Sequence, residues 1–125
     1  INHSFIMYTI PIKFDLNSFK DAKIIQICFT INTFSLFFEK VGFISVEGGF
    51  SFLCNDKKYD YKEIHPVTND LGILKLLEKK VTKVYTNQKR NDLTLEFEEN
   101  IVLELFGNGM YESYTLNVSG EKVIV

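Results

Sequence analysis

FSLFFEKVGFISVEG (Phe34–Gly48) and LTLEFEENIVLELFG (Leu93–Gly107) lie over one another at an offset of 59 residues, and that coincidence decides the fold. Phe34/Leu93, Leu36/Leu95, Phe38/Phe97, Glu39/Glu98, Ile44/Leu103, Val46/Leu105 and Gly48/Gly107 agree in kind. Upstream, DAKIIQICF (Asp21–Phe29) overlies EKKVTKVYT (Glu78–Thr86) at an offset of 57, and downstream GFSF (Gly49–Phe52) overlies SYTL (Ser113–Leu116). The length changes fall in TINT against NQKRND and in the inserted NGMYE, where turns tolerate them. Strands and a glycine recurring in the same order predict an internal duplication. Its units cover about 16–53 and 70–118, joined by a connector at 54–69, within one domain spanning 1–125.

Alternation with period two marks the strands. Leu93, Leu95 and Phe97 point one way and Thr94, Glu96 and Glu98 the other; Ile101, Leu103 and Leu105 turn inward, leaving Val102, Glu104 and Phe106 outside. In the first half the outward positions are Ile24, Cys28, Phe37 and Phe43, so that sheet is expected to be covered on both sides. Each unit opens with a helical piece. One is short, around Leu16–Phe19 after Asp15; the other is capped by Asn69 or Asp70 and presents Leu71, Ile73, Leu74 and Leu77. Phe5–Ile10 reads as an extra strand ended by Pro11, and Val118–Val125 as a last strand with Ser119-Gly120 as a turn. CNDKKYDYKEIHPVTND (Cys54–Asp70), polar and interrupted by Pro66, is the connector and the expected flexible segment. The predicted fold is mainly β (α+β): two repeated helix-plus-β-meander units packed as a sandwich or half-open barrel.

Composition narrows the function classes. The 125 residues are 46% hydrophobic and 24% charged, with 12 Phe, so a well-filled core is expected and bulk disorder is not. Residues 1–62 carry seven lysines against six carboxylates (+1), and residues 63–125 seven cations against ten carboxylates (−3). Neither half supplies the basic face of a nucleic-acid binder. Cys28 and Cys54 sit in apolar stretches outside any CxxC spacing and read as two small buried hydrophobes. No apolar run reaches the ~20 residues of a spanning helix. SFIMYTIPI has neither a basic residue before it nor a small-residue cleavage site after it, so the expected location is cytoplasmic.

Catalytic and metal constellations are missing from the sequence, and no enzyme, cofactor or metal site is predicted. His3 and His65 lie in a terminus and in the connector, without a positioned partner. Asp56, Asp60 and Glu63 lack the spacing of a calcium loop. The glycines at 48, 49, 107 and 109 open no helix in a βαβ unit, and their placement predicts turns or bulges. What remains is an acidic sheet face, Glu96, Glu98 and Glu104, edged by Tyr85, Val102 and Phe106. A carboxylate-rich, partly apolar face suits a basic protein partner.

Leu76–Leu116, LLEKKVTKVYTNQKRNDLTLEFEENIVLELFGNGMYESYTL, resembles a widespread family of small bacterial proteins. In that family a "leucine-leucine-glycine-lysine" turn leads into strands and ends in a "YESW"-like block. Tyr111-Glu112-Ser113-Tyr114 matches the block with Tyr for Trp, and Glu78 stands where the family often has Gly. GFISVEGGFSF (Gly42–Phe52) is similar to the family's first strand unit. Many members resemble immunity proteins of toxin systems, including contact-dependent inhibition. The resemblance implies a cytoplasmic protein that binds and neutralises one cognate toxin domain, for instance a nuclease, by masking its active site; charge and run length together lead to no expected direct nucleic-acid or membrane contact. The expected contact residues are Glu96, Glu98, Glu104, Tyr59, Tyr61, Tyr111 and Glu112, with Tyr111 and Tyr114 equally open to a core role. Two other readings stand beside it: a barrel lined by the Phe-rich half for a small apolar ligand, and a homo-oligomeric module joined through Phe37 and Phe43.

Overall fold

The computed structural model describes residues 8–61, 72–108 and 111–125. Among these residues ten strands form two antiparallel five-stranded sheets. In chain order they are β1 (Ile24–Phe29), β2 (Phe34–Phe38), β3 (Gly42–Val46), β4 (Phe50–Cys54), β5 (Lys57–Tyr61), β6 (Val81–Thr86), β7 (Leu93–Phe97), β8 (Ile101–Leu105), β9 (Tyr114–Val118) and β10 (Glu121–Ile124). Sheet I runs β1-β2-β3-β9-β10 and sheet II runs β5-β4-β8-β7-β6.

Three strands of each half stay together, and the hairpin that follows crosses to the other sheet. β4–β5 completes sheet II and β9–β10 completes sheet I. The expected self-contained meanders are therefore corrected: periodicity fixes which face of a strand is buried, not which sheet it joins. Both exchanged hairpins close through two-residue turns with positive φ, Asn55-Asp56 (53° and 63°) and Ser119-Gly120 (51° and 87°). That is the type I′ geometry whose twist matches the flanking strands.

Where the sheets meet, hydrogen bonds recur in matching pairs. Asp21 N–H donates to Val81 O at 2.8 Å and Glu78 N–H to Ile24 O at 2.8 Å; Val81 N–H donates to Ala22 O at 2.9 Å and Ile24 N–H to Lys79 O at 3.1 Å. Lys23 and Lys80 face each other in an isolated antiparallel bridge. Asp21 (φ 67°) and Glu78 (φ 69°) both adopt the left-handed conformation that glycine occupies at least cost.

The core is the layer between the sheets. Phe34, Leu36, Ile44, Val46, Leu116 and Val123 from sheet I meet Phe50, Phe52, Leu93, Leu95, Leu103 and Leu105 from sheet II, all buried. The ring of Phe34 meets Phe50 edge-on at 5.1 Å, and Phe19 meets Phe38 at 5.0 Å. Phe34, Phe38, Phe50 and Phe52 of the first half thus fill the space between the sheets themselves. Cys28 is half-buried, Cys54 buried, and both are free.

Several local expectations are corrected. The helical pieces are single 3-10 turns, Leu16–Phe19 and Ile73–Leu76. In the first, Asp15 caps by accepting from Asn17 N–H at 3.0 Å. In the second, Ile73 and Leu76 face the core while Leu74 and Leu77 are exposed, the three-residue repeat of a 3-10 turn; Asn69, Asp70 and Leu71 lie outside the described residues. Ile24, expected outside, is buried because a bulge between Ile24 and Gln26 shifts the alternation by one. Polar Lys57–Tyr61, read as connector, is strand β5, an edge strand with little of either face covered. Tyr8–Ile10 is not a strand; Ile10 N–H instead donates to Arg90 O at 2.8 Å, and Arg90 Nε returns a bond to Ile10 O at 2.8 Å. Phe5–Met7, His3 and His65 lie outside the described residues. Among the described residues, no helix is long and apolar enough to cross a membrane.

Candidate protein-binding surface

The outer face of sheet II carries two cross-strand rows set by strand register. Asp60, Ser51, Glu104, Thr94 and Tyr85 run across the five strands in one, and Lys58, Leu53, Val102, Glu96 and Lys83 in the next. Alternation on β7 and β8 puts Glu96 and Glu104 here because Leu95, Leu103 and Leu105 go inward. Tyr85 is 40% exposed, and Lys83 Nζ stands 5.2 Å from its ring centroid. Partial burial, a hydrogen bond with Glu96 and the negative charges of Glu96 and Glu104 hold the Tyr85 hydroxyl above its ordinary range, with Thr94 opposing. At neutral pH Tyr85 stays a protonated donor between two carboxylates.

Asp60 also belongs to the wall of an open groove of about 630 Å³ at the end of the molecule where the chain changes sheets. Gly48 and Gly49 from the β3–β4 link and Phe106, Gly107 and Asn108 from the β8–β9 link form its sides with Tyr61. Glu47 and Glu112 are its other carboxylates, and among the described residues no Lys or Arg lines it. The links are drawn tight by hydrogen bonds: Glu47 and Gly48 N–H both donate to Ser113 O at 2.9 and 2.8 Å, and Phe106 N–H donates to Gly49 O at 3.0 Å. A side chain at Gly48 would press on Ser113, and one at Gly107 on the Asn91 carbonyl. Both glycines serve close backbone approach between strands, where the sequence predicted turns or bulges. Tyr61 stacks on the buried Phe50 ring, centroids 4.8 Å apart, which fixes the groove wall to the core.

Asp60 makes the sheet face and the groove one surface with five carboxylates, Glu96, Glu104, Asp60, Glu47 and Glu112, against the two lysines of that face, Lys58, exposed and 4.0 Å from Asp60, and Lys83. Glu96, Glu104, Tyr61 and Glu112 are brought onto it, and Tyr111, 70% exposed, flanks Glu112. Glu98 is not. β7 ends at Phe97, and the Glu98 carboxylate turns back to accept Lys80 N–H at 2.9 Å. Tyr59 is also separate, standing with Phe52, Cys54, Lys57, Gly72 and Lys75 near the second 3-10 turn. Asp60 and Glu47 were missed because a polar edge strand and a pre-glycine loop carry no periodic signal. Comparison with protein-family models, with curated proteins and with solved structures gave no match. Among the described residues, no group of three His, Cys, Asp or Glu side chains is arranged to hold a metal ion.

Tyr114 buttresses the groove from beneath. It is buried, and its hydroxyl donates to Asn91 O at 2.8 Å in the β6–β7 turn, whose Asp92 accepts Gly107 N–H at 3.1 Å. Burial, with the nearby Asp92 charge, drives the phenol far above its ordinary value of 10.0. The folded state therefore keeps a proton that the unfolded chain releases. This stabilisation is complete below about pH 10 and is lost as pH rises toward the folded-state value, by up to about 1.4 kcal/mol per pH unit. Urea titrations between pH 8 and 11 should show that loss in the wild type and a shallower one in Tyr114→Phe. The variant should also be weaker by about 1 kcal/mol at neutral pH for the lost hydrogen bond. Equal alkaline slopes would remove Tyr114 as the cause.

Proposed function

We propose that this protein is an immunity-type inhibitor that binds a basic bacterial toxin domain in the cytoplasm and masks its active site. The observation that carries the reading is the continuous surface of five carboxylates with Tyr61, Tyr85 and Phe106 among them. Carboxylates spread over a sheet face steer a cationic partner and fix its register, while half-buried aromatics supply contact area at little entropic cost. The groove is open enough to admit a protruding basic side chain or loop, with Tyr61 stacked on Phe50 in its wall. The likeness of Leu76–Leu116 to immunity-like proteins supports the same reading.

Co-expression with the C-terminal domain encoded immediately upstream of the gene tests it, read by co-purification and growth rescue. A stable complex and restored growth are expected. Asp60→Lys combined with Glu104→Lys should weaken the complex by at least roughly a hundredfold and blunt its salt dependence, since charge pairs at such interfaces contribute more than a tenfold change each. Both side chains lie on the outer face, so the variant should keep its melting temperature. An unchanged affinity in the double variant would remove this surface as the interface, and no complex at all would remove the inhibitor reading.

A further inference from the structure

Two open sheets have four edges, and three of them are guarded by charge. β5 carries Lys57, Lys58 and Asp60, β10 carries Glu121 and Lys122, and β6 carries Lys83. An edge strand presents unpaired N–H and C=O groups to any passing strand, and charged side chains, lysine above all, are the usual protection. β1 has none. From Ile24 through Phe38 the chain reads IIQICFTINTFSLFF, without a charge or a proline, although β1 is the outermost strand of sheet I. The place of Lys83, opposite Glu96 and just past the bulge, is taken in β1 by Gln26, opposite Phe37. Ile25 is 53% exposed, Phe29 42%, and Ile31 in the turn beyond 75%.

Beyond Ile24, whose N–H and C=O are taken by Lys79 O and Glu78 N–H, the edge is also open in its backbone. Thr30 N–H donates to Thr33 O at 2.9 Å, which sets the phase of the β1–β2 ladder. Alternation then points the N–H and C=O of Ile27 and Phe29 away from β2. Among the described residues no backbone group bonds to them from outside. The sheet face beside this edge is uncharged as well. Phe37 packs on Phe43 at 5.3 Å, and the Ser35 and Ser45 hydroxyls pair with each other at 2.7 Å, where sheet II has Glu96 and Glu104 at the matching places.

We propose that β1 pairs antiparallel with β1 of a second copy, joining two copies of sheet I into one ten-stranded sheet across a two-fold axis. An exposed edge recognises another extended strand, and charge decides whose. Antiparallel self-pairing sets a strand against itself, and β1 is the edge among the described strands that brings no charge to such a contact, so no like-charge approach restricts its register. The contact is isologous and closes at the dimer, because the opposite edge of sheet I, β10, bears Glu121 and Lys122 and stops the sheet from propagating. The acidic surface lies on the other sheet and stays open in such a dimer, so the inference stands apart from the proposed toxin contact.

The test is the mass of the full chain in solution over the micromolar range, together with a nitroxide on Cys28, Cys54 being buried. A dimer is expected, with the two labels within about 25 Å, since paired strands lie ~4.8 Å apart and the label arms and register add the rest. Ile25→Lys combined with Gln26→Lys, which gives β1 the guard that β6 has, should return a monomer with the same far-UV circular dichroism and melting temperature. A wild-type monomer throughout, a dimer with labels more than about 40 Å apart, or a dimer that survives the lysine variant would each overturn the proposal.

Discussion

Gly42→Ala is expected to destabilise the protein more than any other substitution described for it. Gly42 pairs with Val118 across the β3–β9 ladder, and a Cβ placed on it would collide with the backbone carbonyl of Asn117, 2.8 Å from its carbon. The obstacle is main chain on a central strand, so no side-chain rotation relieves it. Either β3 separates from β9, which detaches the exchanged hairpin from sheet I, or the ladder distorts along its length. Overpacking of this kind against backbone costs about 3 kcal/mol or more, a large share of the 5–15 kcal/mol that holds a domain folded. At roughly 4 °C per kcal/mol for a chain of this size, the melting temperature should fall by at least about 10 °C. Gly120→Ala is the control: nothing lies within 4 Å of its Cβ position, and only the positive φ of 87° opposes the change. A Gly42→Ala protein melting within about 3 °C of the wild type would mean that β3 and β9 are not paired in this register.

Phe50→Ala should have the next largest effect and link stability to binding. Phe50 is fully buried at the junction of both sheets, edge-on to Phe34 and stacked with Tyr61 at an interplanar angle of 24°. Removing a ring from such a place costs about 3–5 kcal/mol through lost burial and the cavity left behind. It also takes away the platform that holds Tyr61 in the groove wall. Partner affinity should then fall even after correction for the folded fraction, whereas Phe50→Leu should lose about 1–2 kcal/mol of stability with most of the binding kept. Chemical denaturation and titration calorimetry on both variants separate the two effects. Unaltered affinity in folded Phe50→Ala would show that Tyr61 needs no support from the core.

The parts of this fold that were legible in the sequence are those governed by side-chain alternation. Leu93, Leu95, Phe97, Ile101, Leu103 and Leu105 are inward as their spacing requires, and Glu96 and Glu104 come to one face for the same reason. Alternation fails where a backbone irregularity resets its phase, as at Ile24, and where a strand has no buried face to announce it, as in Lys57–Tyr61. It also stops at strand ends: Glu98 continues the pattern of Glu96 in sequence, but Glu99 is left-handed at φ 65° and the chain has already turned. The 3-10 turn Ile73–Leu76 was over-read as a longer helix, since apolar residues spaced three or four apart do not reveal how many turns follow, whereas Leu16–Phe19 after Asp15 keeps the bounds its sequence predicts. The Asp60 link between sheet face and groove could not be read at all, because it depends on a hairpin crossing to the opposite sheet.

The exchange of hairpins bears on how the chain comes to be folded on the ribosome. β1, β2 and β3 can zip as soon as they are made, but the fourth place in their sheet belongs to β9, with Val46 waiting for Tyr114 and Gly42 for Val118. The first-made half therefore cannot finish as a foldon of its own, and its apolar face stays wet until nearly the whole chain has emerged. Long sequence separation between partners slows the search, into the millisecond-to-second range common for all-β topologies. In return, neither half can unravel alone once β9 is seated, so opening is expected to be global: amide protons of β3 and β8 should exchange at the same slow rate, although they come from different halves of the chain.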